Sequence, residues 1–467
     1  MASAPSPTGE SVNVTTDRPT FVTHLECGLV GDRYEADRLH GVSKAGKPLL
    51  VRYDLPAVKA AVTRDEIEAR PTDLWRWREL LPVRRTENIV SLGEIETPLI
   101  PLPAAAAPTV VVKDEGRLPT GSFKARGFAV AVSMAKELGV TKIGMPTNGN
   151  AGAALAAYGS RCGIKSIILC PQETPEINVR EIAAQGARVW RVNGQIDEAG
   201  ALIGRGAAEG RWFNMSTLKE PYRLEGKKTV GLEIAAQYGW DLPDAIFYPT
   251  GGGTGLIGMW KAFDELEALG WIGPKRPRLY IVQATGCAPM VRAYEAGEEF
   301  ATRWENAATV AAGIRVPSAV GDFLIIRAAR QTGGGAIAVE DADILRAVDD
   351  AATQDGVFLS PEGGSGLAAY RQALDRGLVR RDERVVLFNG AVPVKYPMPP
   401  ADGWLDLKGD IDLATLDLDG NHWLATPVDP DQAKRESSSC PRATRAATPT
   451  SRSARPRISR KATRTAA

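Results

Sequence analysis

The sequence VVVKDEGRLPTGSFKARG runs from Val110 to Gly127 and contains the pattern on which the fold depends. A β-branched run ends in a charged turn, and the segment TGSFK then opens a predicted helix. A lysine is unfavourable in the first turn of a helix, because the helix dipole favours anions at that end. Lys124 is therefore either a solvated residue in a tolerant position, as position alone favours, or an amine held near bound anions and kept as a nucleophile.

The same strand-then-helix pattern recurs from about Val110 to Gly390. Short β-rich runs alternate there with helix-length amphipathic segments. Continuous apolar strands separated by helices predict an α/β architecture, with parallel strands covered on both faces. The predicted strands are 109–113, 142–147, 166–171, 188–193, 245–250, 279–284 and 384–389.

The two ends of the chain differ in character from this body. Residues 1–21 are predicted to be a flexible lead-in, 22–55 to hold a small segment of alternating character, and 56–90 to be helical and polar. Residues 434–467 contain ten Lys or Arg and one acid, with almost no large apolar side chains. The sequence predicts a disordered basic tail there. That tail is the one candidate for a nucleic-acid contact, and no nucleic-acid partner is expected.

Composition places the chain among ordinary globular proteins. Its 467 residues are 44% hydrophobic and 24% charged, which suits about two to three domains. Scattered cysteines and the lack of signal-peptide or membrane-spanning patterns favour a cytoplasmic location without membrane contact. The three histidines, His24, His40 and His422, lie away from the glycine-rich segments, so histidine triads and metal sites are not expected.

A glycine-rich turn follows the predicted strand 245–250 and precedes a helix. Gly251, Gly252, Gly253 and Thr254 can turn backbone N–H groups toward one point, and the helix N-terminus adds positive potential, so the pattern favours a bound phosphate. The segment also fits a dinucleotide fingerprint. That alternative lacks the acidic residue expected at the end of the next strand, where Gln283 stands.

Two further segments are candidates for the same site. Thr147, Asn148 and Asn150 lie in a second turn between a strand and a helix, where an asparagine cap is the simpler explanation. Beside Lys124 and a phosphate cup, these amides become candidates for holding a cofactor oxygen and a substrate carboxylate. The segment 216–228 gathers four cations, including Lys219 and Arg223, and fits a solvated helix start as well as an anion site.

A lysine amine, a phosphate cup and an asparagine turn together indicate pyridoxal phosphate. The aldehyde of this cofactor condenses with a lysine, here Lys124, and its ring stabilises a carbanion at the α-carbon of an amino acid.

With these residues in hand, the chain resembles the fold-type II pyridoxal-phosphate enzymes, and within them the threonine synthases. The resemblance covers about residues 27–397. It is carried by SLGEIETPL at 91–99, by PTGSFK at 119–124 and by PYRLEGKKT at 221–229. It implies two open, mostly parallel twisted sheets with helices on both faces, and a homodimer. It also implies a large domain of residues 22–124 and 231–433, with a small substrate-side domain of residues 125–230.

The resemblance also implies roles for individual residues. Lys124 would carry the cofactor, Asn150 would bond its ring hydroxyl, and Gly251 to Thr254 would hold its phosphate. Arg223 would bind the phosphate of the substrate, to which we add Lys219, with Thr147 and Asn148 near the substrate. The implied reaction is a β,γ-replacement that converts O-phospho-L-homoserine and water to L-threonine and phosphate.

Three positions depart from the pattern of the threonine synthases. Ala125 replaces an acid, Ala151 replaces a hydroxyl residue, and Gly390 stands where a threonine would meet the pyridine nitrogen. Ser360 and Ser365 are the candidates to supply that missing hydroxyl. The first two departures suggest a threonine or serine dehydratase as an alternative. Gly390 and the basic tail suggest a second alternative, a cofactor-binding regulator or scaffold without turnover.

Overall fold

Two sheets of parallel strands, both packed against helices, form the body of the protein. A computed structural model describes residues 20–401, 404–409, 411 and 413–416. The strands are β1 (Val22–Cys27), β2 (Arg33–Tyr34), β3 (Leu49–Tyr53), β4 (Leu99–Leu102), β5 (Ala107–Asp114), β6 (Lys142–Pro146), β7 (Lys165–Pro171), β8 (Arg188–Val192), β9 (Phe213–Asn214), β10 (Ala245–Pro249), β11 (Arg278–Ala284), β12 (Gly335–Val339) and β13 (Val385–Asn389).

Twelve α-helices accompany these strands in the described part of the chain. They are α1 (Leu55–Ala61), α2 (Arg64–Glu68), α3 (Lys124–Glu137), α4 (Asn150–Arg161), α5 (Glu176–Ala184), α6 (Ile196–Ala208), α7 (Tyr222–Gln237), α8 (Thr254–Ala268), α9 (Pro289–Glu295), α10 (Asp322–Gln331), α11 (Asp341–Asp355) and α12 (Pro361–Asp375). Among them, none combines the length and apolar character that a membrane-spanning segment needs.

The larger sheet has the strand order β12-β11-β10-β13-β5-β4 and is parallel except for the edge strand β4. The smaller sheet, β8-β7-β6-β9, is parallel throughout. The predicted α/β class is therefore confirmed, and each of the seven predicted strands is present. Because the carboxyl ends of parallel strands align within one sheet, the turns that follow β10 and β13 in the larger sheet can contribute to one site.

The small sheet uses strands from 142–214, whereas the large sheet uses strands from both sides of that range. The described residues up to Met398 form one compact unit that contains both sheets. The predicted boundaries at residues 124 and 230 therefore stay a prediction. The predicted disorder of 434–467, like most of the predicted lead-in 1–21, lies outside the described residues.

The N-terminal segments differ in part from the prediction. Residues 22–55 form a small antiparallel sheet of order β2-β1-β3. The predicted polar helix at 56–90 consists of α1, α2 and short 3-10 turns, and it is not polar throughout. Leu74, Trp77 and Leu80 are fully buried in the core. The segment was predicted to be polar because it is rich in Arg and Glu, although its apolar residues pack into the core.

A buried ion network joins the large sheet to α3 and α7. Arg126 on α3 donates to both Glu115 and Glu233, and Lys113 on β5 donates to Glu233 at 2.9 Å. All four side chains are fully buried. The two cations hold the pKa of Glu233 at about 2, against the opposing effect of burial. Each charge is thus compensated, as the low dielectric of an interior requires.

Glu233→Gln should strongly destabilise the protein, because it leaves Lys113 and Arg126 buried with one carboxylate between them. Removal of one partner from such a network costs about 3–5 kcal/mol. The control is Arg346→Gln, which breaks an exposed pair with Asp343 and should cost less than about 1 kcal/mol. Urea unfolding of both variants measures the difference. Equal losses in the two variants would contradict this account of the core.

Candidate active site

The segments that follow β6, β10 and β13 line one open cavity. It brings together nine of the ten residues predicted from the sequence. These are Lys124, Thr147, Asn148, Asn150, Arg223, Gly251, Gly252, Gly253 and Thr254. Lys219 is not among the described residues that line it, although Arg223, four residues later, is.

Lys124 begins α3 because the loop before it is fixed in an uncommon backbone conformation. Thr120 and Gly121 are both left-handed, with φ of 58° and 59°. The N–H of Phe123 donates to the Gly390 carbonyl at 3.0 Å, and the N–H of Val392 donates to the Gly121 carbonyl at 2.8 Å. A Cβ at Gly121 would lie 2.6 Å from Val392, so only glycine fits. The clamp between this loop and the segment after β13 fixes where Lys124 begins.

The Lys124 amine lies in an environment that disfavours its charge. Burial and the positive charge of Arg223 lower its pKa to about 7, and Glu362 opposes them. The amine is therefore partly neutral near pH 7, the state in which it acts as a nucleophile. Of the two alternatives for Lys124, a solvated residue or an amine kept as a nucleophile, this environment favours the second.

A second lysine lies behind the first. The Nζ atoms of Lys124 and Lys227 are each 3.7 Å from the centre of the Phe123 ring. Lys227 is fully buried, donates to the Phe123 carbonyl and is not among the cavity-lining residues. Burial and the charge of Lys124 lower the pKa of Lys227 well below its usual range. The structure thus distinguishes an amine that reaches the cavity from one that supports the loop.

The glycine-rich turn from Gly251 to Gly253 leads from β10 into α8. Gly253 is left-handed with a φ of 66°, and a Cβ there would lie 2.1 Å from Ile325. A Cβ at Gly251 would be 2.9 Å from the Gly313 carbonyl. In the described chain, no side chain caps the N-terminus of α8. Its first N–H groups are therefore available to an anion in the cavity.

The turn from Thr147 to Asn150 connects β6 to α4. The Thr147 hydroxyl accepts from the N–H groups of Gly149 and Gly152, both at 3.0 Å, so it shapes the turn. Asn148 donates to the Arg315 carbonyl at 3.2 Å. Asn150 donates to the Tyr396 hydroxyl at 3.4 Å, and its buried Oδ1 has no partner among the described residues. An unsatisfied buried amide at a cavity wall suits a polar ligand atom.

Arg223 contributes a cation from the first turn of α7. One of its terminal nitrogens donates to the Met215 carbonyl at 2.9 Å, and its buried Nε has no described partner. Burial lowers the Arg223 pKa to about 10, against the effect of Glu220. Its guanidinium also lies 4.3 Å from the centre of the Phe128 ring. The group is held rigidly and retains donors for an anion.

Five polar residues of the cavity lining were not predicted as site residues: Asn178, Thr217, Tyr248, Glu362 and Tyr396. Glu362 lies within the segment SPEGGSG, in which Ser360 and Ser365 were the candidates. Both serines are fully buried and outside the cavity lining. Ser360 caps α12, and Ser365 donates to the Glu362 carbonyl at 2.7 Å. The hypothesis that either serine replaces the missing hydroxyl is therefore not supported.

Comparison with known proteins agrees with this site. Residues 90–390 match the family model described as "Pyridoxal-phosphate dependent enzyme". The threonine synthase of Methanocaldococcus jannaschii is 34% identical over 79% of this chain and 92% of that protein. The threonine synthase of Methanosarcina acetivorans is 34% identical over 81% of this chain and 94% of that protein.

Solved structures share the fold at lower identity. Maize serine racemase superposes with a TM-score of 0.55 at 21% identity, over 69% of this chain and 90% of that one. The processed threonine deaminase isoform 2 of Solanum lycopersicum gives a TM-score of 0.54 at 20% identity, over 69% and 91%. At this identity the likeness concerns the fold alone.

The chain therefore belongs to the pyridoxal-phosphate-dependent enzymes of fold type II, and it is a lyase that uses this cofactor. Within that family, the relatives that match most of its length are threonine synthases. The residues present fit pyridoxal phosphate. The cavity offers a partly neutral lysine for an aldehyde, an uncapped helix N-terminus for a phosphate and an unsatisfied asparagine oxygen at its wall.

Arg223→Met should raise the Lys124 pKa above about 7, because it removes a positive charge that disfavours the ammonium. The neutral fraction of the Lys124 amine at pH 7 then falls. Competitive labelling of the apoprotein with an amine reagent at a series of pH values, read by peptide mass spectrometry, measures this pKa. The exposed Lys165 serves as the internal reference. An unchanged Lys124 profile in the variant would show that Arg223 does not act on the amine.

Proposed function

We propose that this protein is a threonine synthase, which converts O-phospho-L-homoserine and water to L-threonine and phosphate by β,γ-replacement. The observation that carries the proposal is Arg223, a buried cation at the cavity wall with an unsatisfied Nε. Arg223 is a second candidate for binding an anion, separate from the glycine-rich turn that suits the phosphate of the cofactor. The names of the curated relatives support the same reaction.

The anions of the reaction can be matched to the donors of the cavity. The N-terminus of α8 with Gly251, Gly252, Gly253 and Thr254 would hold the phosphate of the cofactor. The turn before α4, with Thr147 and Asn148, would receive the substrate carboxylate through the first N–H groups of α4 other than that of Gly152, which donates to the Thr147 hydroxyl. Arg223 remains for a third anion. A phosphorylated amino acid supplies that anion, whereas serine or threonine does not.

Lys124 is proposed as the residue that carries the cofactor and then moves protons. Pyridoxal phosphate, when bound, supplies an electron sink for a carbanion at the amino-acid α-carbon. With a pKa of about 7, the Lys124 amine can both accept and return a proton near neutral pH. A β,γ-replacement requires proton transfers at more than one carbon of the substrate, and one mobile amine can serve them. Asn150 is proposed to bond the ring hydroxyl.

A hydroxyl-amino-acid dehydratase is the second candidate. Ala151 lines the cavity, so the wall near the proposed substrate phosphate lacks a hydroxyl that the threonine synthase pattern would place there. Ala125 is fully buried in α3 and is not among the described residues that line the cavity. Ala151 makes its part of the cavity wall less polar, which suits a substrate without a phosphate. The homodimer, the cytoplasmic location and the two-domain boundaries remain predictions of the proposal.

Purified cofactor-loaded protein should release phosphate from O-phospho-L-homoserine and form L-threonine, and Lys124→Ala should abolish both. A parallel assay follows oxoacid formation from L-threonine and L-serine. Oxoacid without phosphate release would favour the dehydratase. Cofactor binding without turnover of any of the three substrates would favour the regulator or scaffold, and either result would overturn the proposed reaction.

Arg223→Lys should lower kcat/KM for O-phospho-L-homoserine about tenfold or more. Lysine keeps the positive charge near Lys124 but loses the planar fork that pairs with a phosphate, and a hydrogen bond to a charged group contributes about 1.5–3 kcal/mol. Lys219→Met, outside the cavity lining, should change kcat/KM by less than about twofold. If Lys219→Met caused the larger loss, the phosphate subsite would be misassigned.

A further inference from the structure

The cavity contains one acidic side chain among its described lining residues, Glu362. It lies in the first turn of α12, directly after Pro361, and is only 5% exposed. Its Oε1 accepts from the Gly313 N–H at 2.6 Å. Its Oε2 is buried and accepts no hydrogen bond of good geometry, the Tyr396 hydroxyl being its polar neighbour, and Glu362 forms no ion pair with the described residues. Proteins rarely leave a carboxylate buried in this state, because desolvation is not offset.

A buried carboxylate without a paired cation at a cavity wall suits a cationic group of a ligand. Within the chain, the charge of Glu362 acts on the Lys124 amine. With the cofactor bound, that amine would be part of a Schiff base, so the positive groups that could face Glu362 are the Schiff-base nitrogen and the pyridine nitrogen. The start of α12 packs on the residue before Gly390, since the Ser360 N–H donates to the Asn389 side chain at 2.9 Å, and the resemblance places the contact to the pyridine nitrogen in that segment. The carboxylate would become paired when the cofactor binds.

We propose that Glu362 is the group that meets the pyridine nitrogen of the bound cofactor and that its carboxylate keeps this nitrogen protonated. The proposal concerns the cofactor pocket around Lys124 and does not depend on which substrate the enzyme uses. It assigns to a charged residue a contact for which the sequence suggested only hydroxyl groups. A carboxylate stabilises a pyridinium by charge, whereas a neutral hydroxyl does not.

The surroundings of Glu362 support this assignment. The Gly313 N–H fixes one oxygen of the carboxylate, and the other faces the Tyr396 hydroxyl. Burial, the charge of Glu362 and the contact with its carboxylate raise the pKa of Tyr396 well above its usual range. Asn150 donates to the same Tyr396 hydroxyl. A polar chain thus runs from Asn150, proposed for the ring hydroxyl, through Tyr396 to Glu362.

Gly390 leaves room on the same wall. A Cβ at Gly390 would meet only the Phe123 ring, at 3.6 Å, which is ordinary contact. The position could therefore hold a larger side chain, and glycine leaves that part of the cavity free. Tyr396 is the rival partner for the nitrogen, since its hydroxyl lies in the same cavity. The experiment must separate the two.

The test uses full-length protein loaded with pyridoxal phosphate labelled with ¹⁵N in the ring. The nitrogen chemical shift distinguishes a protonated from a neutral pyridine without any assay of turnover. Glu362→Gln is the central variant, because glutamine can still accept from Gly313 while the negative charge is removed. Ser365→Ala is the matched control, since it alters the same turn of α12 without removing the carboxylate. Tyr396→Phe tests the rival.

We expect a protonated nitrogen in the wild type, in Ser365→Ala and in Tyr396→Phe, and a neutral nitrogen in Glu362→Gln. Cofactor affinity should fall about tenfold or more in Glu362→Gln, measured by fluorescence titration. Circular dichroism confirms that each variant is folded. A neutral nitrogen in the wild type, or a protonated one in Glu362→Gln, would overturn the proposal, as would a change confined to Tyr396→Phe.

The same samples distinguish a failure of this proposal from a failure of the cofactor-pocket assignment. If the wild type lacks the absorbance of a lysine-linked cofactor, and Lys124→Ala binds the cofactor equally well, the pocket itself is wrong. If that absorbance is present and depends on Lys124 while the nitrogen is neutral, only the role of Glu362 is wrong.

Discussion

The site depends on one electrostatic constraint, a buried lysine amine that must stay partly neutral at the wall of an open cavity. Burial removes the hydration that an ammonium needs, and the nearby guanidinium of Arg223 disfavours a second positive charge. Glu362 limits the effect, so that the Lys124 pKa stays near 7. A lower pKa would make the amine a poor base, and a higher one would keep it protonated.

The backbone supplies the rest of the site through the ends of parallel strands. The turn after β10 leads into α8, whose N-terminus has no side-chain cap within the described chain. The turn after β6 leads into α4, where the Thr147 hydroxyl accepts from the Gly152 N–H. The third element is the loop before α3, which is clamped to the segment after β13 by two backbone hydrogen bonds. The helix ends proposed to bind anions and the Lys124 side chain therefore line one cavity, where backbone groups could hold much of a charged cofactor.

Much of this could be predicted from the sequence, and the reasons differ from residue to residue. The seven strands and the glycine-rich turn carry strong local patterns, namely β-branched runs and adjacent glycines, and both were found. β12 was missed because the sequence GAIAV is short and begins with glycine. The sequence could not distinguish Lys227 from the other three cations of its segment, because the burial of Lys227 arises from the packing of α3 on α7. Glu362 had no local signal either, because its importance lies in an unsatisfied oxygen that only the folded chain reveals.

The identity of the reactive amine is the central claim, and it is tested most directly by locating the covalent bond. Borohydride reduction of the cofactor-loaded protein, followed by proteolysis and mass spectrometry, fixes the pyridoxyl group on the lysine that carried it. We predict the modification on Lys124, whose side chain lines the cavity. A modification on Lys227, the lysine on the same Phe123 ring, or a protein that retains no pyridoxyl group after reduction, would contradict the account.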